Sequence, residues 1–575
     1  MRRNQIVAAA SSAALLLTAA ATGTTLASSA SAVPTADDEA TTYVVLADRG
    51  ASATALAERL ADTGATVTSV NTDIGMVVVS SRDAGFRSDA RALEGVHGVA
   101  ADRSIGHAPT RRPSSIEREN LTAAKSGAAM AVATKPRKQA KADPLDGQLW
   151  GMRMIRADEA HRYTLGSKRV RVGVIDTGVQ ADHPDIAPNF DHERSRNFVT
   201  DIPAVDGPCE SAGCVDPATE DDGGHGTHVA GTIGAAMNNL GVSGVAPKVD
   251  IVNVRAGQDS GYFFLAPTVN ALTYAGDAGL DVVNMSFYVD PWLYNCLGGA
   301  PEDTPEQAAE QATIIEAMNR ALDYAHSRNV TLVAASGNNH EDLANPRVDD
   351  SSPDYGAPAH DRTIDNDTCW DLPAEGPHVI GVDALGPSGK KSDFSNYTTD
   401  LTSGEVEVSA PGGWFRDGFG TDTYRSNGNL ILSTVPVVSL QETGEVDEEG
   451  NITPLGEATG VQKACQDDPE PGTATCGYYA FYQGTSMASP HATGVAALAV
   501  TAHGGKLGPG DFGLDPDATR ALLLGTATDH ACPAGGVQSY TDEGRSAEFT
   551  ATCVGTAEHN GFYGEGIVNA LGVVQ

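Results

Sequence analysis

Four short stretches carry residue types that together could cleave an acyl bond. Asp176 begins Asp176-Thr177-Gly178, and His225 begins His225-Gly226-Thr227-His228-Val229-Ala230-Gly231. Asn338 closes Ala335-Ser336-Gly337-Asn338, and Ser486 sits within Gly484-Thr485-Ser486-Met487-Ala488-Ser489-Pro490-His491. Each alone has an ordinary explanation: a capping Asp, a turn His, a turn Asn, an N-cap Ser. Together they supply a nucleophile, a base, an orienting carboxylate and an oxyanion donor. A serine hydroxyl is a poor nucleophile near neutral pH, so Ser486 needs His225 to take and return its proton. Asp176 would fix the imidazole tautomer, and Asn338 with the Ser486 N–H would hold the oxyanion.

These groups need a scaffold that brings distant segments together. The uncharged run from Ala492 to Ala502 predicts a helix buried on every side. Pro490 lacks an N–H and fits a first turn, so the helix is expected to begin near Ser486, with the serine at its positive end. Apolar runs at 169–175, 250–255, 281–285, 330–335 and 378–382 predict strands. Segments 228–237, 266–278 and 306–328 predict helices between them. That alternation implies an α/β fold with a mostly parallel sheet covered by helices on both faces. Chemistry in such sheets gathers at the carboxyl ends of strands, and Asp176 and Asn338 each lie just past one.

The rest of the chain, 575 residues in all, bounds where such chemistry operates. Residues 1–32 read as a secretory signal: Arg2 and Arg3, an apolar stretch from Ile6 to Leu17, and Ala30-Ser31-Ala32 before Val33. No later stretch is apolar enough to span a bilayer, so a secreted extracellular product with no membrane partner is expected. Within 33–107, residues 41–107 alternate as βαββαβ, which fits a small α+β domain. Residues 108–144 mix Arg111, Arg112, Arg118, Lys125, Lys135, Arg137, Lys138 and Lys141 with Ala, Ser and Pro. They read as a linker whose basic sites are open to proteases. Eight cysteines suit an oxidising destination, and short loops favour Cys209–Cys214, Cys296–Cys369, Cys465–Cys476 and Cys532–Cys553. A net charge of −37 argues against nucleic acid as a partner.

The Asp176, His225 and Ser486 stretches, in that chain order, resemble the three signatures of the subtilisin-like serine proteases. Trp150-Gly151-Met152 resembles the start of that family's catalytic domain, and Tyr563-Gly564-Glu565-Gly566-Ile567-Val568-Asn569-Ala570 its close. The resemblance implies a catalytic domain over 145–575 and a serine endopeptidase acting on proteins or peptides. It also implies an inhibitor-like propeptide in 33–107, cleavage within 108–144, and a monomer. It implies substrate contacts at Ser286, Phe287, Tyr288 and Gly337, a structural role for His228, and chemistry that needs no cofactor. A silent scaffold protein of the same fold is the alternative, but such relatives lose a catalytic residue and none is lost here.

Three departures stand out. Asp185 matches a residue that helps bind calcium in many relatives, yet the loop at Met237-Asn238-Asn239-Leu240-Gly241-Val242 is short. A weakened or absent tight calcium site is therefore expected, and calcium binding stays open. Acid-rich extra residues, Glu445 to Glu449 among them, lie between Ala410-Pro411-Gly412 and Gly484. The family's Ser-Leu-Gly-Gly strand reads Ser286-Phe287-Tyr288-Val289, which predicts a narrowed cleft.

Overall fold

Seven strands form the central sheet: β5 (Arg171–Ile175), β6 (Arg196–Asn197), β7 (Asp250–Arg255), β8 (Val282–Met285), β9 (Thr331–Ala335), β10 (Val379–Leu385) and β11 (Val408–Pro411). A computed structural model describes residues 40–103, 116–119, 142–346, 348–354, 358–467, 474–508 and 511–575. The expected signal segment and most of the linker lie outside those residues. The strands run in the order β11-β10-β9-β8-β5-β7-β6, and every pairing is parallel. Their inner residues are almost all buried, because helices cover both faces. β5 lies between β8 and β7, so the chain order reverses there and opens a crevice at the strand ends.

The helices are α3 (His225–Gly234), α4 (Leu265–Asp277), α5 (Pro305–Ser327) and α6 (Thr485–His503). Helix α3 begins three residues before the expected 228, so His225 is its first residue. Helix α6 is buried on every side from Thr485 to Val500, as its uncharged sequence requires. The helix starts at Thr485, one residue before the expected Ser486, but Pro490 lies beyond its first turn, which corrects the expected place of the proline. A proline at that depth cannot donate to the carbonyl of Ser486 four residues back. The Ser286 hydroxyl satisfies that carbonyl instead, at 3.2 Å.

The acid-rich insertion folds as a second sheet of β12 (Ile431–Val435), β13 (Gln462–Asp467) and β14 (Ala474–Tyr482), in the order β12-β14-β13. Cys465 and Cys476 face one another across β13 and β14 and are bonded. The other three disulfides are also the pairs that short loops favour. Strand β14 runs straight into Gly484 and the start of α6, so the insertion is built against Ser486.

The N-terminal module has the expected βαββαβ order: β1 (Thr41–Ala47), α1 (Ala53–Asp62), β2 (Thr66–Asn71), β3 (Met76–Ser81), α2 (Phe86–Arg91) and β4 (Val96–Arg103). Its antiparallel sheet has the order β2-β3-β1-β4. Helix α2 is shorter than the expected 84–93, because Asp83 accepts the Gly85 N–H and forms a turn before it. Strand alternation sends Val45, Val77, Val79 and Val99 against Leu56, Leu60 and Phe86 of the two helices. The opposite face, with Val44, Leu46, Met76, Val78 and Ala100, joins one core with α4 and α5. Arg320 on α5 donates to the carbonyls of Ala47 and Ile74, both at 2.9 Å. Asp102 accepts the Ala266 N–H at 2.8 Å and so caps the first turn of α4. No helix among the described residues is long and apolar enough to cross a membrane.

Candidate active site

Asp176 follows β5 directly and is fully buried. One of its oxygens accepts the Thr177 N–H and His225 Nδ1, each at 2.8 Å. Gly178 must be glycine: its φ is +148°, and a Cβ would stand 2.5 Å from the Glu220 carbonyl. The residue that fixes His225 against Asp176 is Asp221, which the sequence reading missed. Its buried carboxylate accepts the Thr177 hydroxyl, the Gly224 and Thr227 N–H groups, and the Thr227 hydroxyl. That ties the loop after β5 to the first turn of α3. Its signal in the sequence is an acid pair immediately before Gly223-Gly224-His225, where a helix N-terminus prefers a carboxylate.

Burial opposes a charge on His225, but the Asp176 carboxylate and its hydrogen bond outweigh it. Glu117 and Asp221 add to that attraction, and the imidazole is pushed up to about 9. His228, one turn on, is a different group. Burial and then the charge of His225 push it down to about 3, and its Nε2–H points at the carbonyls of Ile431 and Ala480. Its ring stacks on Tyr482 at 4.4 Å.

Ser486 is the second residue of α6, behind Gly484 at φ +150°. Asn338 follows β9, and its Oδ1 accepts the Thr485 N–H at 2.8 Å and the Thr485 hydroxyl at 2.9 Å. The amide nitrogen is thereby turned towards the serine. The Thr485 hydroxyl also accepts the Gly337 N–H at 3.2 Å, so one hydroxyl serves both loop residues. Gly337 has φ +104°, and a Cβ there would lie 2.4 Å from Asn396 Nδ2.

The residues of the Ser286-Phe287-Tyr288-Val289 stretch, three of them expected to contact substrate, divide. The Ser286 side chain faces inward, sharing a hydrogen bond with Ser489 at 2.9 Å, and its carbonyl lies 3.4 Å from Ser486 Oγ. Phe287 stacks on Phe263 with centroids 4.0 Å apart. Tyr288 donates its hydroxyl to Asp354 at 2.6 Å. Val289 is fully buried in the core between sheet and helices, so it adds no bulk to the cleft, contrary to the expectation.

The turn Ile116–Arg118 occupies the cleft, which no feature of the sequence foretold. The Ser486 hydroxyl donates to Glu117 at 3.2 Å, and Asn338 Nδ2 lies 3.5 Å from the same oxygen. Among the described residues, Ser486 Oγ makes no hydrogen bond to His225. The Gln483 N–H donates to the Glu117 carbonyl at 3.3 Å. The Gln483 side chain donates to the Ile116 carbonyl at 3.0 Å. Arg118, expected to be exposed to proteases, is instead largely buried. It pairs with Glu445 and reaches the Tyr482 hydroxyl at 2.8 Å. Glu119 pairs with Arg416 and accepts from Gln483 Nε2 at 2.9 Å.

The residues at the family's calcium position do not fit the ion. Asp185 accepts Asn238 Nδ2, the Val242 N–H and the Tyr479 hydroxyl, the last at 2.8 Å. Those donors stand where a hard cation would need oxygen ligands. Elsewhere, Asp216 shares two groups of three carboxylates, one with Asp201 and Glu210 and one with Asp222 and Asp259. Arg255 already places its positive charge there, bonded to Asp201, Asp216 and Asp259.

Comparison with known proteins shows the family. The subtilase family profile matches residues 167–551. Subtilisin DY of Bacillus licheniformis is 29% identical over 306 residues, 51% of this chain and 87% of that protein. Thermitase of Thermoactinomyces vulgaris is 27% identical over 292 residues, 51% of this chain and 80% of that protein. Among solved structures, the epidermin leader peptide processing serine protease of Staphylococcus aureus is similar in fold. It has a TM-score of 0.58 at 18% identity, covering 93% of this chain and 98% of that one.

Proposed function

The chain belongs to the subtilase family of serine endopeptidases, and from that premise we propose that it is a secreted zymogen hydrolysing peptide bonds through Asp176, His225 and Ser486. Ser486 Oγ attacks the substrate carbonyl while His225 Nε2 takes its proton. Asp176 holds the opposite ring nitrogen and stabilises the imidazolium. Asn338 Nδ2 and the Ser486 N–H receive the oxyanion, and His225 returns the proton to the leaving amine. Water then repeats the sequence on the acyl-enzyme. Ser286, Phe287, Tyr288 and Gly337 line the substrate's path.

The observation that carries this reading is the 2.8 Å Asp176–His225 bond, with Asn338 and Ser486 converging on one Glu117 oxygen. A carboxylate oxygen there stands in for a substrate's oxyanion. The 33–107 region acts as an inhibitor I9-like propeptide, and the docking of its described part, residues 40–103, on α4 and α5 supports that role. Cleavage in 108–144 then leaves 145–575 as the mature monomer, with no cofactor required for the chemistry.

Ser486→Ala tests both parts. It should abolish peptidase activity and labelling by a fluorophosphonate, and the chain should accumulate uncut. Labelling that persists in the variant would sink the assignment of the nucleophile. Equal shortening of variant and wild type would show that another protease performs the maturation.

A further inference from the structure

Glu445 is a buried carboxylate whose only cationic partner among the described residues comes from the linker. Its side chain is 1% exposed, and it pairs with Arg118. The Thr443 and Thr459 hydroxyls hold the same carboxylate at 2.7 and 2.6 Å, so its position is set by the insertion itself. Tyr482 forms the wall beside it. The Arg118 guanidinium lies 4.8 Å from the Tyr482 ring centroid and donates to its hydroxyl. That ring is stacked on His228, which two backbone carbonyls fix in turn.

Building on the endopeptidase reading, we propose that Glu445 and Tyr482 form an arginine-selective subsite beside Ser486, filled here by Arg118, and that polypeptides enter the cleft through an arginine at that position. The geometry selects arginine over lysine. One guanidinium nitrogen meets the carboxylate and another the tyrosine hydroxyl, while the central carbon lies over the ring, 4.8 Å from its centroid. A lysine ammonium is a single point of charge and cannot meet all three. Emptying the site leaves a buried carboxylate without a counter-charge, which favours refilling by another cation.

The occupant is held on both sides of Arg118. Glu119 is tied to Arg416 and Gln483, and Glu117 lies against Ser486. Glu117 presents a side-chain carboxylate to the serine, not a peptide carbonyl, so in this pose the turn fills the cleft without offering a bond to cut. Arg118 is thus a tethered competitor for the site that a substrate arginine would use.

The test uses a fluorescent peptide of sequence Ser-Ser-Ile-Glu-Arg-Glu-Asn-Leu, matching 114–121, and full-length chains carrying Ser486→Ala. Fluorescence anisotropy measures binding, and thermal melting checks folding. Adding Arg118→Ala should tighten peptide binding at least about tenfold, because the tether no longer competes. Replacing the peptide's arginine by alanine, or adding Glu445→Gln, should remove that gain. Tyr482→Phe should weaken binding in the same direction if Glu445→Gln fails to fold. Unchanged affinity on Arg118→Ala, or equal affinity for the alanine peptide, would overturn the subsite.

A second measurement separates this inference from the endopeptidase reading. Profiling the Ser486-bearing enzyme on a peptide library should enrich arginine at one fixed offset from the cut, and Glu445→Gln should erase that enrichment. Hydrolysis with no preference for arginine overturns the subsite alone. Arginine-dependent binding without hydrolysis of any peptide supports the subsite and overturns the endopeptidase reading.

Discussion

Glu117 sits beside both Ser486 and the charge field of His225, so removing its carboxylate should change the base as well as empty the oxyanion position. In the occupied cleft His225 is held protonated up to about 9. Each pH unit below that value lowers the neutral fraction tenfold, so at pH 7.5 only about 3% of the imidazole is free to accept a proton. The rise from 6.5 to about 9 corresponds to roughly 3 kcal/mol favouring the charged form. Since 21% of the side chain is exposed, solvent screening trims this to about 2–3 kcal/mol. The sign follows from the raised value: the stabilisation is complete below pH 6.5 and disappears as pH rises through about 9. Ring nitrogen shifts of a 15N-histidine-labelled Ser486→Ala chain, assigned with His225→Gln, report the titration directly. The midpoint should lie near 9 and move down when Glu117→Gln is added. A midpoint near 6.5, or one indifferent to Glu117→Gln, would refute the electrostatic reasoning.

Other changes probe separate parts of the molecule. Asn338→Leu should lower kcat roughly a hundred- to a thousandfold with KM little changed, a magnitude taken from subtilisin itself and not from these distances. Thr485→Val, which removes the hydroxyl but keeps the N–H of the two donors that hold Asn338 Oδ1, should lower kcat with KM unchanged and by less than Asn338→Leu; an equal change in KM would point to general misfolding. Asp371 and Glu375 are raised well above the ordinary carboxylate range, chiefly by burial. Stability from protonated Asp371 is present below about pH 4 and is lost as pH rises, so Asp371→Asn should raise Tm at pH 8 more than at pH 4. Equal shifts at both values would contradict this. Removing Cys296–Cys369, which spans 73 residues, should lower Tm more than removing Cys209–Cys214, which spans 5. The reverse order would mean that native contacts, not loop closure, set the contribution.

The sheet was legible in the sequence because its strands are continuous apolar runs, and β7 matches its expected bounds at both ends. Asp176, His225, Asn338 and Ser486 were legible because each lies in a short local pattern. Pro490 misled because a local rule places proline in a first turn, while the helix tolerates it where Ser286 satisfies the freed carbonyl. Arg118 read as an exposed linker residue for a related reason. Its partner Glu445 is 327 positions away, and nothing local announces the pairing. Asp221 is similar: its acceptor role depends on Thr177, 44 residues earlier, coming alongside α3. Asp185 shows the opposite case, where a familiar position is kept but Tyr479 has taken the ligand's place.

In the proposed zymogen, the docked N-terminal sheet gives activation a second stage. Val44, Leu46, Met76, Val78 and Ala100 share one core with α4 and α5, and Arg320 grips two carbonyls of the module. None of these contacts passes through the linker, so cutting the chain there breaks no part of that interface. While the chain is intact the module is present at the effective concentration of a tethered ligand. After the cut it answers only to its bulk concentration. Dilution, or digestion of the freed module, then becomes the event that releases the enzyme, and a concentrated cut sample should be less active per molecule than the same sample diluted.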